Sequence, residues 1–403
     1  MTDLPRTLER LYGRVPLGMR LGLEPMQRAC ERFGHPERGY EIVHVAGTNG
    51  KGSVCAMTES ILRVAGDHTG LYTSPHLLQF AERIQISGEQ IDDTRLDRIL
   101  DEVLTREPDL SFFEVATLTA FLAFREAKCD RVILEVGLGG RLDATNVIPT
   151  PRVAAITKIA LDHTDRLGTT LSEIAREKAG IIKSGGRVVV GEMCSEVRGV
   201  IERVAGEHGA TLASSVREDA TEDIASVTLG LAGQHQRLNA AIAWTIGEEL
   251  GVSRVARRGG LTHVSWPGRC EQLEIDRVTF ILDGAHNPDG AEALATFVDA
   301  LHKPPSQCAL IFGALADKAW PEILDALAPL SGHRFFVAPQ GRAAANPNEL
   351  AARWPGTITH DLTEALTMAR TRAPYVLVSG SLHLVGQARS ELLGLPRDPP
   401  VAL

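Results

Sequence analysis

The sequence predicts an α/β protein of two domains, a larger one on a mainly parallel sheet and a smaller, doubly wound one behind it. Three observations carry that prediction. The chain has 403 residues, more than one ordinary core accommodates. Short β-branched runs repeatedly end in a Gly-rich or polar turn and are followed by amphipathic helical spacing, the pattern of strand-helix units and parallel sheets. Finally, Ser265-Trp266-Pro267-Gly268-Arg269 interrupts this alternation with Pro and Gly, and the alternation restarts beyond it. The domains are therefore expected at residues 1–266 and 267–403.

In the first domain, strands are expected at Glu41 to Val45, Arg131 to Val136, Val153 to Ile159 and Arg187 to Val190. Helices are expected at Ser53 to Ala65, Glu114 to Ala127 and Leu171 to Ala179. Between Glu192 and Leu231 the pattern weakens and reads as a peripheral antiparallel or irregular addition. In the second domain strands are expected at Val278 to Leu282, Cys308 to Phe312, Phe335 to Val337 and Tyr375 to Val378. The Pro-rich tail from Leu395 to Pro400 reads as frayed.

Composition narrows the function classes. Apolar residues make up 44% and charged residues 23% of the chain, the profile of a globular protein. A net charge of −9 argues against a nucleic-acid partner, which needs a concentrated basic face. No apolar run approaches the roughly 20 residues of a membrane span, and acids and arginines fill the N-terminus where a signal peptide is apolar. The six cysteines are dispersed without metal-finger spacing, which fits reduced thiols in a cytoplasm.

The strongest chemical signal is His44-Val45-Ala46-Gly47-Thr48-Asn49-Gly50-Lys51-Gly52-Ser53. A β-rich run enters a Gly-rich turn whose lysine opens a helix. Backbone N–H groups of such a loop converge on phosphate oxygens, and the lysine supplies a point charge for the β- and γ-phosphates. The common Walker spacing is not met: Val45 replaces its first glycine, and Gly52 separates Lys51 from the Ser53 hydroxyl. A triphosphate is expected, either ATP or GTP. Glu135 ends the apolar run Val132-Ile133-Leu134, at the sheet edge where ligands collect, and a hard cation such as Mg²⁺ suits a lone carboxylate there. Gly137-Leu138-Gly139-Gly140-Arg141-Leu142 fails as a dinucleotide fingerprint at its third glycine.

The Gly-Thr-Asn-Gly-Lys-Gly-Ser form of the loop resembles the Mur ligase superfamily, in the version of its folate branch, the dihydrofolate and folylpolyglutamate synthases. Further stretches resemble that branch in order: Tyr72-Thr73-Ser74-Pro75-His76-Leu77 with Glu82-Arg83-Ile84, Phe112-Phe113-Glu114, and Leu134 to Asn146. They continue with Leu161-Asp162-His163-Thr164-Asp165, Arg176-Glu177-Lys178-Ala179-Gly180-Ile181, Gly233-Gln234-His235-Gln236 with Asn239, Pro267-Gly268-Arg269, and Asp283-Gly284-Ala285-His286-Asn287-Pro288. The resemblance implies an ATP-dependent ligase that joins glutamate to a pteroate or folate carboxylate through an acyl phosphate. It implies a P-loop ATPase domain followed by a Rossmann-like ligase domain.

The resemblance also distributes roles. ATP falls to Thr48, Asn49, Gly50, Lys51, Gly52, Ser53, Asn239, Arg269 and Asp283. Two Mg²⁺ ions fall to Ser74, Glu135, His163 and Lys178, with a CO₂-derived carbamate on Lys178. The acceptor falls to Ser111, Phe112, Phe113 and Glu114 facing Leu142, Asp143 and Ala144, and His286, with Asn287, is assigned to incoming glutamate. Lys51, Lys178 and His163 are the catalytic candidates. Read alone, several of these are ordinary: Ser74 a turn residue before Pro75, His163 a core histidine, Lys178 a solvated helix lysine, Phe112 and Phe113 plain core. The implied partners are small molecules only, with no nucleic acid or membrane, and the implied state is a monomer. A peptidoglycan-type Mur ligase and a non-catalytic nucleotide-binding module are the rival readings. The first is disfavoured by the short lead-in before Lys51.

Overall fold

The computed structural model describes residues 3–14, 22–215, 218–341 and 343–399. The chain divides into two compact units, one of residues 1–76, 81–230 and 237–264, the other of 77–80, 231–236 and 265–403.

The first unit is built on an eight-stranded sheet whose strands are β1 (Glu41–Ala46), β2 (Thr69–Tyr72), β3 (Ile84–Ile86), β4 (Glu89–Gln90), β5 (Arg131–Glu135), β6 (Val153–Ile156), β7 (Arg187–Val190) and β8 (Thr211–Ser214). Their order is β4-β3-β2-β5-β1-β6-β7-β8. From β2 to β8 neighbouring strands run parallel, with β1 between β5 and β6. Strands buried on both faces need continuous apolar runs; β5, β6 and β7 have them, and β1 has one interrupted by the buried His44. Because β1 and β5 are parallel neighbours, with Val45 opposite Glu135, the loops leaving both emerge side by side at the C-terminal sheet edge.

The segment from Glu192 to Leu231 departs from expectation. It holds a helix, Ser195–Glu207, and β8 pairs parallel with β7. The helical stripe was present in the sequence as Val197, Val200, Ile201, Val204 and Ala205, all buried. Interspersed Gly199 and Gly206 diluted it, and a four-residue strand with a half-exposed face leaves little trace. The antiparallel addition lies at the opposite edge, where β3 pairs with β2 and β4 with β3.

The second unit has six strands, β9 (Glu271–Ile275), β10 (Val278–Leu282), β11 (Cys308–Phe312), β12 (His333–Phe336), β13 (Thr357–Ile358) and β14 (Tyr375–Ser379), in the order β13-β12-β11-β14-β10-β9. All pairs are parallel except β9 with β10. Apolar clusters cover both faces of this sheet, as a doubly wound architecture requires. The tail is held as far as Asp398: its N–H donates to the Leu78 carbonyl and its carboxylate accepts from the Phe80 N–H at 2.7 Å. The frayed reading is thereby corrected for Leu395 to Asp398, since one backbone and one side-chain hydrogen bond offset the lack of secondary structure; Pro400 lies outside the described residues. Among the described residues no helix is long and apolar enough to cross a membrane, and all six cysteines are free thiols.

His44, in the middle of β1, is fully buried. Thr145 Oγ1 gives its one proton to Asp143 Oδ1 at 2.5 Å, so the 2.8 Å contact between Thr145 Oγ1 and His44 Nε2 requires the imidazole to donate. Nδ1 is left as a buried lone pair with no hydrogen-bond partner, a neutral arrangement, and burial pushes the pKa down to about 3. As pH falls from about 6.5 to about 3, the unfolded chain takes up a proton that the native state refuses. Stability therefore declines through that window, by up to about 1.4 kcal/mol per pH unit. Thermal unfolding of wild type and His44→Leu between pH 7.5 and 4.5 should show a shallower acid decline in the variant; parallel declines would contradict this assignment.

Candidate functional site

β1 leads directly into the loop Gly47–Gly50, and the helix Lys51–Val64 starts at once behind it. Gly50 adopts φ 87°, and a side chain there would also run into Asn239, whose Oδ1 stands 2.3 Å from where a Cβ would be. Three successive carbonyls of the loop are tied back into the protein. Gly47 O accepts from Lys178 Nζ at 2.8 Å, Thr48 O from Lys51 Nζ at 3.1 Å, and Asn49 O from Thr157 Oγ1 at 2.8 Å. Thr48 is held further by its N–H to Lys158 O and its hydroxyl to Ala160 O. The first helical bond runs from Val54 N to Gly50 O, so the N–H groups of Lys51 and Gly52 have no acceptor within the helix. With its carbonyls turned away and a helix N-terminus at its centre, the loop presents positive potential to a bound anion.

Glu135 ends β5 and is almost fully buried. Its Oε2 accepts from the Ser74 N–H at 3.0 Å, which brings the two expected metal residues together. Among the described residues no three His, Cys, Asp or Glu side chains converge on a metal-binding set. One carboxylate beside one serine, at the end of β5 next to the strand that feeds the Gly47–Gly50 loop, fits an ion that takes few protein ligands and completes its shell with ligand oxygens and water, as Mg²⁺ does. It does not fit an all-protein cage.

Lys178 is 5% exposed, which excludes the reading of a solvated helix lysine. It lies in the last turn of the helix Leu171–Ala179. Burial lowers its pKa to about 7, with Lys51 adding to the shift and Asp162 and Asp143 opposing it. The same interactions place Lys178, Lys51 and Asp162 in one electrostatic neighbourhood. His163 follows Asp162 at a left-handed φ of 50° and caps a short helix, Thr164–Leu167. Its side chain is 43% exposed, with Nε2 at 3.9 Å from Asp162 Oδ1, so the reading as a core histidine does not hold.

The residues expected to face the acceptor lie in two turns that meet where Phe113 packs over Gly137. Ser111 and Glu114 form a reciprocal capping box at the start of the helix Phe112–Ala127, Glu114 Oε2 accepting from the Ser111 N–H at 2.8 Å and hydroxyl at 2.7 Å. This pair orders the turn that presents Phe112 and Phe113. Phe112 stacks with Tyr12 at 6.0 Å, and Phe113 lies against Tyr72 at 6.1 Å. Asp143 is buried, and its carboxylate accepts from the Leu138 N–H, the Thr145 N–H and the Thr145 hydroxyl. Burial raises its pKa against those hydrogen bonds. Asp143 is thus a brace for the Gly137–Gly140 turn; Leu142 beside it is half-buried and Ala144 buried.

In the second unit, Asp283 follows β10, and its carboxylate accepts from Cys270 N at 2.8 Å and Ala285 N at 2.9 Å. It fastens the turn after β10 to the segment carrying Arg269, whose guanidinium packs over Gly284. His286 Nδ1 donates to Gly284 O at 2.8 Å, and Asn287 caps the helix Pro288–Asp299 through Gly290 N. Reading the sequence missed Thr157 and Asp162 as members of the site. Thr157 carries no signal, because only the β1–β6 pairing brings it under the loop; Asp162 carries one in its adjacency to His163.

Comparison with known proteins agrees with this geometry. The model of the Mur ligase middle domain matches residues 45–247, and that of the Mur ligase, glutamate ligase domain matches residues 268–382. The dihydrofolate synthase/folylpolyglutamate synthase of Bacillus subtilis is 33% identical, over 95% of this chain and 97% of that protein. The structure of E. coli FolC in complex with DHPP and ADP is similar at TM-score 0.85 and 34% identity, covering 93% of this chain and 94% of that one. A Yersinia pestis bifunctional folylpolyglutamate synthase/dihydrofolate synthase complexed with AMPPNP and Mn ion is similar at TM-score 0.83 and 34% identity, covering 94% of both chains. With two domain models in order and relatives matched along nearly their whole length, the chain belongs to the folylpolyglutamate synthase family of Mur ligases.

Proposed function

We propose that this chain is an ATP-dependent ligase that forms an amide between glutamate and the carboxylate of dihydropteroate, of a folate, or of both. The observation that carries the reading is the junction of the Gly47–Gly50 loop, a buried carboxylate at the end of the neighbouring strand and a buried lysine bonded to the loop backbone. An acceptor carboxylate oxygen attacks the γ-phosphorus of ATP, ADP leaves, and an acyl phosphate results. The glutamate amine then attacks the acyl carbon, phosphate departs, and the amine gives up a proton. Lys51 and the N–H groups opening its helix hold the β- and γ-phosphates, while Thr157, Lys178 and Lys158 fix the loop so that little reorganisation is needed. Glu135 and Ser74 would hold one divalent ion, and His163 with a carbamate on Lys178 a second; such ions neutralise the charge that develops on the transferring phosphoryl group. Phe113, which is only partly buried, offers a ring to a pterin or benzoyl group, while Phe112, stacked on Tyr12 and covered by Arg83, backs that wall from behind.

Asn239, Arg269 and Asp283 fall to the nucleotide on this reading and His286 to glutamate, with domains at 1–266 and 267–403. The enzyme acts as a cytoplasmic monomer on small molecules. Incubating the protein with Mg-ATP, glutamate and either dihydropteroate or tetrahydrofolate tests it. One added glutamyl residue by product mass, with ADP release dependent on the acceptor, is the expected outcome. ATP binding without ADP release under any acceptor would favour a nucleotide-binding module instead.

A further inference from the structure

Arg83 stands in a place the chemistry above does not use. It closes the short helical turn Phe80–Arg83, immediately before β3, and is 2% exposed. Burying a guanidinium is costly unless it is held by specific partners, so what it touches bears on why it is there. Its Nε donates to His76 Nδ1 at 2.9 Å. Arginine can only donate, so Nδ1 must carry the lone pair, and His76 is neutral with its proton on Nε2. The Arg83 carbonyl accepts from Thr73 N at 3.0 Å, and the Tyr72 hydroxyl lies in the electrostatic surroundings of its side chain. The Arg83 Cζ lies 5.2 Å from the centroid of the Phe112 ring, the same ring on which Tyr12 stacks. Glu135 contributes to the field that keeps the buried guanidinium charged.

These contacts fall on two different parts of the site. Thr73 and His76 flank Ser74, the residue whose N–H is bound to Glu135. Phe112 belongs to the wall assigned to the acceptor. A side chain this buried has almost no surface for a substrate, so its influence runs through the groups it holds. A guanidinium suits such a role, because its rigid geometry commits one N–H to His76 while its charge sits over the phenyl ring.

We propose that Arg83 is a positioning residue that ties the Ser74 loop to the aromatic wall at Phe112, holding the acceptor carboxylate and the ion-binding edge at one separation. The proposal rests on the ligase reading above. It implies that Arg83 governs use of the acceptor and of the divalent ion and leaves the nucleotide loop alone, because the groups it braces, Thr73, His76 and Phe112, lie outside Gly47–Ser53.

Steady-state kinetics of wild type, Arg83→Lys, His76→Asn and His76→Leu test this, with thermal unfolding of each as the control. Arg83→Lys keeps the charge and loses the plane. It should lower kcat/KM for the acceptor and raise the Mg²⁺ concentration needed for half-maximal rate, each by about tenfold or more, while KM for ATP stays within roughly twofold. His76→Asn, whose Oδ1 can accept in place of Nδ1, should lie near wild type, and His76→Leu should shift in the direction of Arg83→Lys. The His76 pair decides the matter if Arg83→Lys does not fold. A uniform loss for all substrates that tracks the unfolding midpoint would mean a purely structural role and overturn the proposal. Wild-type kinetics in Arg83→Lys, or in His76→Leu, would overturn it as well. Wild-type protein inactive in the same assay would instead overturn the ligase reading.

Discussion

Lys178→Arg should lose ligation by about 10²–10³-fold, the scale for removing one preorganised electrostatic group from a reacting centre, while remaining folded. The wild-type amine is buried, bonded to the Gly47 carbonyl at 2.8 Å, and titrates at about 7. Near neutrality a sizeable fraction is therefore uncharged, which is the form that attacks CO₂. Carbamylation would then replace a cation by an anion beside Asp162 and the phosphate loop. Arginine keeps a donor for Gly47 but stays charged and cannot form the carbamate. Carbon NMR of wild type under labelled CO₂ should give a carbamate signal that Lys178→Arg lacks; full activity in the arginine variant would end the carbamate account.

The same pKa has a separate consequence for stability without added CO₂. Below about pH 7 both native and unfolded states carry the ammonium, and the cost of burying it is fully present. Between about 7 and the unfolded value of 10.5 the native state releases a proton that the unfolded chain retains, so stability rises with pH through that window. Relative to Lys178→Met, wild type should gain up to about 1.4 kcal/mol per pH unit there. A constant difference between the two from pH 7 to 10 would show that the lysine is not buried as described.

Gly47→Ala is expected to have the second large effect. Gly47 sits at φ 152°, where an L side chain is strained, and an added Cβ would come 1.8 Å from Thr157 Oγ1 and 3.2 Å from Thr157 N. The hydroxyl would have to leave, and with it the bond that holds Asn49 O. The overlap with backbone means that rotating Thr157 does not relieve all of it. Strain and overpacking of this kind cost about 1–3 kcal/mol each. A displacement on the order of 1 Å in a phosphate-positioning loop lowers turnover by about 10²-fold. Thr157→Ala alone should be much milder, and Thr157→Ala added to Gly47→Ala should recover part of the loss. Nucleotide titration and turnover of the three variants check this; near wild-type behaviour of Gly47→Ala would mean that the loop is not held against β6.

Several features were legible along the chain because they are local. β1, β5 and β7 announce themselves as apolar runs, and the turn from Gly47 into a helix at Lys51 is a continuous stretch whose chemistry depends on neighbours in sequence. The same holds for Glu135 at the end of β5 and for the restart of alternation after Arg269. The misplaced pieces were short or diluted. β8 has four residues, and β3 and β4 have three and two, too few for periodicity to rise above chance.

What only the tertiary structure decided is the environment of each candidate, because burial and partner identity come from distant segments. Nothing near Lys178 in sequence lowers its pKa; Gly47 does the holding from 131 residues away, and parallel strand order brings the two together. Thr157 reaches the Gly47–Gly50 loop only because β6 lies beside β1. Ser111, Glu114 and Asp143 bear the residue types of a binding site, yet their polar atoms are committed to their own turns, which a motif cannot reveal. Sequence determined which groups exist and in what local conformation; the sheet determined which of them meet, since charge and hydrogen bonding act through space and not along the chain.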